Sequence, residues 1–476
     1  MRGAADSKLL KFSTSKYPCE AVHIWSPWIT STKCENSCLL SLDNNCYAVA
    51  AHQTILRCQC SSSGEKKEKS DQVSSMLKHL IFKIKSTGPI TVAEYMREVL
   101  TNPVKGYYLH RDMLGEEGDF VTSPEISQIF GELLGIWVVS EWMAVGKPKT
   151  FHLVELGPGR GALMNDILRV FDQFRSMMGK CDISVHLVEI SPKLSELQAI
   201  KLTGEKIPSE TNDRSSPVYK KGTTMTGLPV FWYYHLQDIP QGKGFYLAHE
   251  FFDALPIHKF QKTKHGWMEV LIDIDPEVPD TLRFVLAPTT TLFAKAFIQS
   301  GETRDHVEVS PAAGIIIQEL ACRIENNGGA ALITDYGHDG QKTDTLRGFC
   351  DHKLHDVLIA PGTADLTADV DFSFLRRMTE GKVASLGPIT QQEFLKNMGI
   401  EVRLKVLMDN AKDPAICRQL LNSYDMLTNP GKMGSRFKFF AMLPHVRLSA
   451  INQEVASKKS KSLQLPVAGF SKIVFQ

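Results

Sequence analysis

Short apolar runs alternate with longer amphipathic stretches along the second two-thirds of the chain. The apolar runs predict strands at 151–156, 185–190, 244–248 and 330–334, each ending at a polar or glycine-containing corner. The spacing between them predicts helices, for example over 163–174 and 192–200. This alternation predicts an α/β fold, a doubly wound and mostly parallel sheet with helices on both faces.

The chain before residue 151 has a helical pattern. Helical spacing begins near Met76, and Thr91 with Glu94 forms a capping-box pattern that predicts a helix start. Asn102-Pro103 predicts the end of that helix, because the residue before a proline disfavours helical backbone. A loop and a long apolar helix over roughly 125–145 follow, so we predict a helical cap at 76–150.

Later segments interrupt and close the main domain, which we place at 151–445. An insertion at about 257–328 contains two alternating runs, 267–275 and 282–287, that predict paired strands. The polar segment 204–228 predicts a long surface loop. The runs 402–408 and 437–443 predict closing strands with an antiparallel edge, and residues 446–476 a C-terminal tail.

Residues 1–75 form a poorly patterned leader that ends in a charged stretch of linker composition. A mitochondrial transit peptide is rich in arginine and poor in acids. Among the first 60 residues Arg2 and Arg57 are the only arginines, beside four acidic residues, which makes a weak targeting signal. Six of the ten cysteines lie there too, without the spacing of a zinc site. We therefore leave the leader out of the fold.

Charge and composition exclude several classes of partner. The chain has 54 basic and 53 acidic residues, a balance that gives no general attraction to nucleic acid or anionic membrane. No apolar run reaches the roughly 18 residues of a transmembrane helix, so we expect no stable membrane insertion. Four scattered cysteines after residue 60 are typical of a reducing compartment.

A glycine-rich turn, Gly157-Pro-Gly159-Arg-Gly161, joins the first strand to its helix. Glycines let the backbone approach a ligand closely, and the helix start offers free N–H groups. Glu155 precedes the turn; its carboxylate would repel the pyrophosphate of a dinucleotide but complements the ammonium and sulfonium of S-adenosyl-L-methionine. A tight corner without a ligand is the alternative interpretation.

Glu189 ends the second strand, 34 residues after Glu155. An acid at this strand tip accepts hydrogen bonds from the hydroxyl groups of a ribose. We therefore predict S-adenosyl-L-methionine as the cofactor, with Glu155, Gly157, Gly159, Gly161 and Glu189 as its binding residues. An oxidoreductase that uses NAD(P) is the alternative enzyme class, against which Glu155 and the tight glycine spacing argue.

The third strand ends in His249-Glu250-Phe251-Phe252-Asp253, beside the predicted cofactor. An arginine guanidinium keeps its proton at neutral pH, so methylating it requires carboxylates that hold and orient it. We predict Glu250 and Asp253 as catalytic residues, with His249 as an orienting group or proton relay. The alternative is structural: Glu250 caps a helix and the phenylalanines are core.

A further loop over 344–356 is dense in histidine and aspartate. Cys350, His352 and His355 could suggest a metal site, but they come from one short loop with no second half. We predict no metal, and a hydrogen-bonded loop that lines the acceptor pocket.

Five motifs, at 118–125, 154–161, 250–256, 335–337 and 365–372, together resemble the MidA family, with a match over 76–445. Mitochondrial members of that family are protein-arginine methyltransferases and complex I assembly factors. The resemblance implies a class I methyltransferase fold with added N-terminal helices, and symmetric dimethylation of an arginine on a core subunit of complex I in the mitochondrial matrix. The family's glycine loop and acidic corner fall on the residues already named.

One alternative function and the assembly state remain open from the sequence. The chain could be a non-catalytic complex I assembly chaperone with a residual cofactor pocket, which the intact glycine loop argues against. The sequence also leaves a homodimer open as the assembly state.

Overall fold

A computed structural model of the chain describes residues 62–110, 121–209, 216–448 and 467–470. Its N-terminal part is helical, with α1 at Ser62–Thr87, α2 at Val92–Thr101, α3 at Tyr107–His110, α4 at Ser123–Ile126 and α5 at Gln128–Ala144. Thr91 and Glu94 form the predicted capping box at the start of α2, with both hydrogen bonds at 3.1 Å. As predicted, α2 ends just before Asn102-Pro103.

Helix α1 begins at Ser62, earlier than the predicted start near Met76. The stretch from Glu65 to Lys69 is made of glutamate and lysine, which have high helix propensity, so a helix nucleated by the apolar residues after 76 extends back through it. The first 61 residues of the predicted leader, with their cysteines, lie outside the described residues.

Three sheets are present in the described part of the chain. The strands are β1 (Ile90–Thr91), β2 (Thr150–Leu156), β3 (Asp182–Val188), β4 (Val218–Thr223), β5 (Pro229–Tyr233), β6 (Gly244–His249), β7 (His258–Thr263), β8 (Gly266–Ile274), β9 (Leu282–Leu286), β10 (His306–Val309), β11 (Gly329–His338), β12 (Arg347–Cys350), β13 (Lys353–His355), β14 (Asp365–Thr367), β15 (Val370–Asp371), β16 (Ala384–Thr390) and β17 (Phe437–Leu443).

The main sheet has the order β16-β17-β11-β6-β2-β3-β5-β4, with β15 paired to β11. Strands β5, β3, β2, β6 and β11 are parallel, whereas β17 runs antiparallel between β11 and β16. The four strands predicted from the apolar runs are the centre of this sheet. The doubly wound α/β class is therefore confirmed.

The remaining helices are α6 (Ala162–Gln173), α7 (Arg175–Met178), α8 (Pro192–Thr203), α9 (Leu292–Phe297), α10 (Pro311–Asn327), α11 (Phe372–Met378), α12 (Gln391–Asn397), α13 (Ile400–Asn410) and α14 (Pro414–Thr428). Short 3-10 and π-helical turns occur at Leu236–Asp238 and Pro430–Gly434. No described helix combines the length and apolar character of a bilayer span.

The sheet separates two apolar cores, because successive side chains of a strand point to opposite faces. Leu153 and Leu187 face the core formed with α5, α6 and α12, while Val154 and Tyr246 face the core formed with α10 and α11. A third core joins α1 and α2 to β8. The burial of both faces explains why the parallel strands read as continuous apolar runs.

A smaller antiparallel sheet contains β7, β8, β9 and β10 from the predicted insertion, and β8 and β9 pair as predicted. The two-residue strand β1, from the predicted cap, pairs with β8. Helix α10 lies within the range assigned to the insertion but packs on the main sheet through Ile317, Leu320 and Ile324. The division of the chain into domains stays a prediction.

The predicted strand at 402–408 is wrong, because these residues belong to helix α13. Ile400 and Leu404 are buried and Leu407 packs against the same core, which is helical spacing. Val402, Leu404 and Val406 are apolar at every second position, which resembles a strand. Two of them are nevertheless on the solvent side of the helix, since Val402 is 62% exposed and Val406 44% exposed. The strand predicted at 437–443 is correct, but β16 is its partner at the sheet edge.

The predicted surface loop at 204–228 is wrong for residues 218–223, which form β4 and pair antiparallel with β5. The segment looks polar because it contains Lys220 and Lys221. Lys220 is nevertheless buried, and its ammonium donates to Ser195 Oγ at 3.0 Å. Its aliphatic stem and this hydrogen bond allow a lysine on a buried strand.

The connections of the main sheet define where a ligand crevice lies. From β2 the chain continues to β3 on one side, and it later returns to β6 on the other side of β2. In an open α/β sheet, ligands bind outside the carboxyl ends of the strands at such a switch point. The turn after β2 contains Gly157, and the turn after β6 contains Glu250, so both predicted sites flank this crevice.

Candidate functional site

The glycine loop after β2 has a backbone that only glycine adopts at low cost. Gly157, Gly159 and Gly161 have φ values of 63°, 53° and 77°, and Gly161 is the N-cap of α6. The Gly157 N–H donates to the Val188 carbonyl at 3.0 Å, which ties the loop to the end of β3. A Cβ added to Gly157 would lie 2.8 Å from Cδ2 of Phe251. The space beside Gly157 is therefore filled by the Phe251 ring, so this position requires a residue without a Cβ.

Glu189 is fixed in place at the end of β3. Its Oε1 accepts from the Ser191 N–H at 2.7 Å, and its Oε2 accepts from Gln198 Nε2 at 2.9 Å. Gln198 also donates to the Gly159 carbonyl at 2.7 Å, so one side chain links the strand-tip acid to the glycine loop. Burial raises the pKa of Glu189 to about 7, although these hydrogen bonds oppose the shift.

Gln198 is not among the site residues predicted from the sequence. It lies on α8 between Leu194 and Leu202, on the face that packs into the protein. A signal was present, because an uncharged polar residue in an apolar helical stripe is buried with a specific partner.

Glu155 is buried at the base of the loop with 2% of its surface exposed. Its Oε2 has no hydrogen-bond partner among the described residues. Burial, with Glu189 and Asp166 nearby, raises the pKa of Glu155 to about 8. A buried carboxyl oxygen without a donor is rare, and a ligand ammonium or hydroxyl would complete it. The residues at this position thus fit the polar end of S-adenosyl-L-methionine.

The turn after β6 presents a second set of acids. Glu250 has a φ of 49°, a left-handed conformation that is uncommon outside glycine. Its Oε1 is buried and has no hydrogen-bond partner among the described residues. Burial and the neighbouring Asp253 raise the pKa of Glu250 well above its usual range. Glu250 therefore lacks a donor on one oxygen, as Glu155 does on the other side of the crevice.

Asp253 closes the same turn. Burial raises its pKa to about 6, while Arg347 opposes the shift. Arg347 itself bonds to Asp369 at 2.5 Å and lies over the Tyr336 ring, 5.6 Å from its centroid. Arg347 is thus bonded to Asp369, and it opposes but does not cancel the rise in the pKa of Asp253.

The rest of the corner comes from segments far apart in sequence. Tyr108 donates its hydroxyl to Asp365 at 2.5 Å, and Asp365 in turn raises the pKa of Glu250. The backbone of Ser123 partly offsets the rise in the pKa of Glu250. The sequence alone predicts no site role for these three residues, since their proximity to Glu250 arises only from tertiary packing.

His249 lies between two aromatic rings. Phe130 contacts it edge-on with ring centroids 5.2 Å apart, and the Phe437 ring is parallel to it at 6.1 Å. Burial lowers the pKa of His249 to about 3, so its imidazole is uncharged at neutral pH. Its Nε2 lies 3.4 Å from Glu250 Oε1.

The loop at 344–356 is structured by hydrogen bonds and a short hairpin. Asp351 and His352 form its turn with φ values of 50° and 59°, and the His355 ring bonds to the Ile359 carbonyl at 2.9 Å. Glu308 accepts from the N–H groups of Thr345 and Leu346. Within the described ranges, no group of His, Cys, Asp or Glu is arranged to hold a metal.

Comparison with known proteins identifies the family. Residues 133–389 match the model of a family described as "Putative S-adenosyl-L-methionine-dependent methyltransferase". The chain is 66% identical over 429 residues to "Protein arginine methyltransferase NDUFAF7, mitochondrial" of Homo sapiens, covering 90% of this chain and 97% of that protein. It is 49% identical over 405 residues to the Drosophila melanogaster homolog, covering 83% and 89%.

A solved structure has the same fold. A COG1565 superfamily protein from Burkholderia thailandensis, bound to S-adenosyl-homocysteine, superposes with a TM-score of 0.62 at 24% identity. The match covers 79% of this chain and 93% of that one.

The family match covers more than half of the chain, and the mitochondrial relatives align over most of their length. The predicted methyltransferase class and its cofactor are thereby confirmed, and the oxidoreductase alternative is not supported. The chain belongs to the MidA-type family of S-adenosyl-L-methionine-dependent methyltransferases, as its motifs predict.

Proposed function

We propose that this chain methylates an arginine on a core subunit of respiratory complex I, to give symmetric dimethylarginine, in the mitochondrial matrix. The observation on which this rests is the acidic corner at Glu250 and Asp253, which has an unpaired buried oxygen and lies across the switch point from the glycine loop. The names of the relatives, mitochondrial protein arginine methyltransferases, support the reaction and the organelle. The complex I subunit and the matrix rest on the MidA resemblance.

The cofactor supplies an electrophilic methyl group attached to a positively charged sulfur. We assign Glu155 to the ammonium end of the cofactor and Glu189 to its ribose hydroxyls. Gly157, Gly159 and Gly161 let the backbone approach it, because side chains there would project into the crevice or strain the loop.

Glu250 and Asp253 hold the acceptor. Two carboxylates match the forked N–H groups of a guanidinium through charge-assisted hydrogen bonds, which orient one nitrogen towards the methyl group. That nitrogen loses a proton when it is methylated. A carboxylate with a pKa near 6, as at Asp253, takes the proton more readily than an exposed aspartate would.

His249 is assigned an orienting role. An imidazole with a pKa of about 3 is a weak base, and its position between Phe130 and Phe437 fixes the ring against the Glu250 side chain. We therefore favour orientation of Glu250 over proton relay.

The proposal is tested by incubating the protein with S-adenosyl-L-methionine and purified complex I core subunits, and mapping methylated arginines by mass spectrometry. Glu250→Gln keeps the shape of the side chain but cannot form the carboxylate that a bound guanidinium would stabilise, so we expect the rate to fall roughly 100-fold. Glu302→Gln is the matched control, because Glu302 is a half-buried carboxylate paired with Arg304. Arginine that stays unmethylated, or equal rates in Glu250→Gln and the parent, would contradict the proposal.

The chaperone alternative makes a different prediction. Gly157→Val places a branched side chain against Phe251, so cofactor approach should be blocked. If cells that carry this variant assemble complex I normally, the methyl transfer is dispensable and the chaperone function is correct.

The matrix location and the homodimer also stay predictions. Protease protection in fractionated mitochondria tests the first, and light scattering of the purified protein tests the second.

A further inference from the structure

Asp335 lies near the end of β11, beside the turn that follows β6, and none of its surface is exposed. Strands β11 and β6 pair in register up to Thr334 and His249. The next residue along each strand is therefore Asp335 on one side and Glu250 on the other. No catalytic or binding role has so far been assigned to Asp335.

The Asp335 carboxylate is hydrogen-bonded to four backbone N–H groups. Its Oδ2 accepts from Phe251, Phe252 and Asp253 at 3.2, 2.9 and 3.3 Å. Its Oδ1 accepts from Tyr336 at 2.9 Å. A carboxylate offers about four lone-pair sites, and here three donors share Oδ2 and one bonds to Oδ1, so its hydrogen bonds go mainly to the backbone of the turn.

Thr334, the residue before Asp335, binds the first N–H group of the same turn. The Glu250 N–H donates to the Thr334 carbonyl at 3.0 Å. Four consecutive N–H groups, from 250 to 253, are thus bound by two adjacent residues of β11, Thr334 and Asp335. Glu250 has a left-handed backbone, which persists in a non-glycine residue only when its surroundings impose it.

This turn sets the geometry of the whole site. Glu250 and Asp253 are its first and last residues, so the distance and angle between their carboxylates follow from its backbone. Phe251, within the turn, packs where a Cβ of Gly157 would lie, so the cofactor loop rests on the same four residues. A small change in the turn would move both acids relative to the methyl group.

We propose that Asp335 is a positioning residue, which acts through the main chain to hold Glu250 and Asp253 in the geometry that grips the acceptor guanidinium. The activity readout of this inference rests on the proposed function.

Asp335→Asn tests it, because one acceptor oxygen becomes an amide that donates instead of accepting. We expect kcat for arginine methylation to fall roughly 100-fold, as when reacting groups are misplaced by about 1 Å. The Kd for S-adenosyl-L-methionine should change much less than kcat, since Glu155 on β2 and Glu189 directly after β3 lie outside the turn, which contacts the cofactor loop through Phe251. Amide hydrogen exchange at residues 251–253 should accelerate.

Asp371→Asn is the matched control. The Asp371 Oδ1 accepts from the N–H groups of Ser373 and Phe374 at 3.0 and 3.3 Å, where it caps α11. Loss of the Asp371 carboxylate should lower the Tm and leave kcat unchanged. This control separates the loss of any carboxylate that caps backbone N–H groups from the loss of the one that holds the turn at 250–253.

An Asp335→Asn protein that folds, binds cofactor and keeps the parent kcat overturns the inference. If this variant does not fold, Asp335→Ser retains one acceptor oxygen in a smaller side chain, and the same loss of kcat is expected. If the parent itself methylates no arginine, the proposed function fails, and amide exchange alone decides: unchanged exchange at 251–253 in the variant overturns the positioning role.

Discussion

At the scale of single residues, backbone strain and ligand approach can be separated by comparing two glycines. Gly157 and Gly179 both have a φ of 63°. A Cβ on Gly157 would meet Phe251, whereas a Cβ on Gly179 would meet nothing within 4 Å. Any difference between alanine variants at the two positions therefore reports contacts in the crevice.

We predict that Gly157→Ala and Gly179→Ala each lose at least about 1 kcal/mol of stability, because both glycines have a positive φ and Gly179, with a ψ of −139°, lies in a region that is essentially restricted to glycine. Gly157→Ala alone should lose more than roughly tenfold in cofactor affinity, because the shifted Phe251 ring or loop closes the approach. Thermal unfolding and calorimetric titration measure the two effects. Equal cofactor affinity in the two variants would contradict the assignment of the loop.

The raised pKa of Glu155 should make the free energy of unfolding depend on pH. Its pKa is raised from 4.5 to about 8 in the folded protein, so between these values the folded state binds a proton that the unfolded state has lost. The free energy of unfolding should therefore fall as the pH rises from about 5 to 8. At about 1.4 kcal/mol per pKa unit, the contribution of Glu155 is of the order of 4 kcal/mol.

In Glu155→Gln we expect a shallower fall over this pH range and a higher Tm than the parent at pH 8, both without cofactor. Glu196→Gln, on the exposed face of α8, is the control and should keep the parent slope. A Glu155→Gln protein with the parent slope would show that Glu155 is ionised in the folded state.

Some residues of the candidate site are placed by the ends of the strands, and others by tertiary contacts. The position of Glu155, Gly157 and Glu250 at one edge of the sheet could be predicted, because strand ends in a parallel sheet share one edge and a local pattern marks each end; their roles stay predictions. Gln198 carried a signal as a polar residue in an apolar helical stripe, but the identity of its partners was not specified. Asp335 could not be assigned a role, because its partners are about 82–84 residues away and depend on the register between β6 and β11, which periodicity does not specify.

At the scale of elements, helices α5 and α6 pack closely because glycines face the contact. A Cβ on Gly131 would lie 2.5 Å from Cβ of Asp166, and one on Gly135 would lie 3.0 Å from Cβ of Val170. Helix α6 begins at the glycine loop, so the position of α5 is transmitted to the cofactor site.

We predict that Gly131→Ala destabilises the protein by about 1–3 kcal/mol through overpacking and also weakens cofactor binding, since α6 must shift. Gly314→Ala on α10 is the control, because its Cβ would crowd Met378 and Phe374, at 3.1 and 3.2 Å, on a helix that does not start at the glycine loop. Denaturant unfolding and cofactor titration measure both. Unchanged cofactor affinity in a destabilised Gly131→Ala protein would show that α6 does not move the loop.

Strands and helices could be predicted where the apolar residues follow one periodicity. The prediction was wrong where both strand alternation and helical spacing fit the same residues. The central strands are buried on both faces and were predicted correctly. The 400–408 region fits alternation through Val402 and Val406 and helical spacing through Ile400, Leu404 and Leu407. Packing against the core decides between them, and the sequence does not contain that information locally.

At the scale of the whole molecule, the two predicted sites lie at one topological switch point. The glycine loop follows β2 and the acidic corner follows the adjacent β6, so we expect methyl transfer across the crevice between them. The alternation of strands and helices predicted this architecture. The smaller sheet, in which β1 of the N-terminal part joins the inserted strands, could not be predicted because it pairs segments about 180 residues apart.

The most direct test of the central claim is calorimetric titration of the protein with S-adenosyl-L-methionine, beside Glu155→Gln and the control Glu196→Gln. We predict saturable binding at one site per chain, retained in Glu196→Gln and weakened at least roughly tenfold in Glu155→Gln, as for the loss of a charge-assisted hydrogen bond. Absence of binding in the parent, or equal affinity in parent and Glu155→Gln, would contradict the cofactor site described for this crevice.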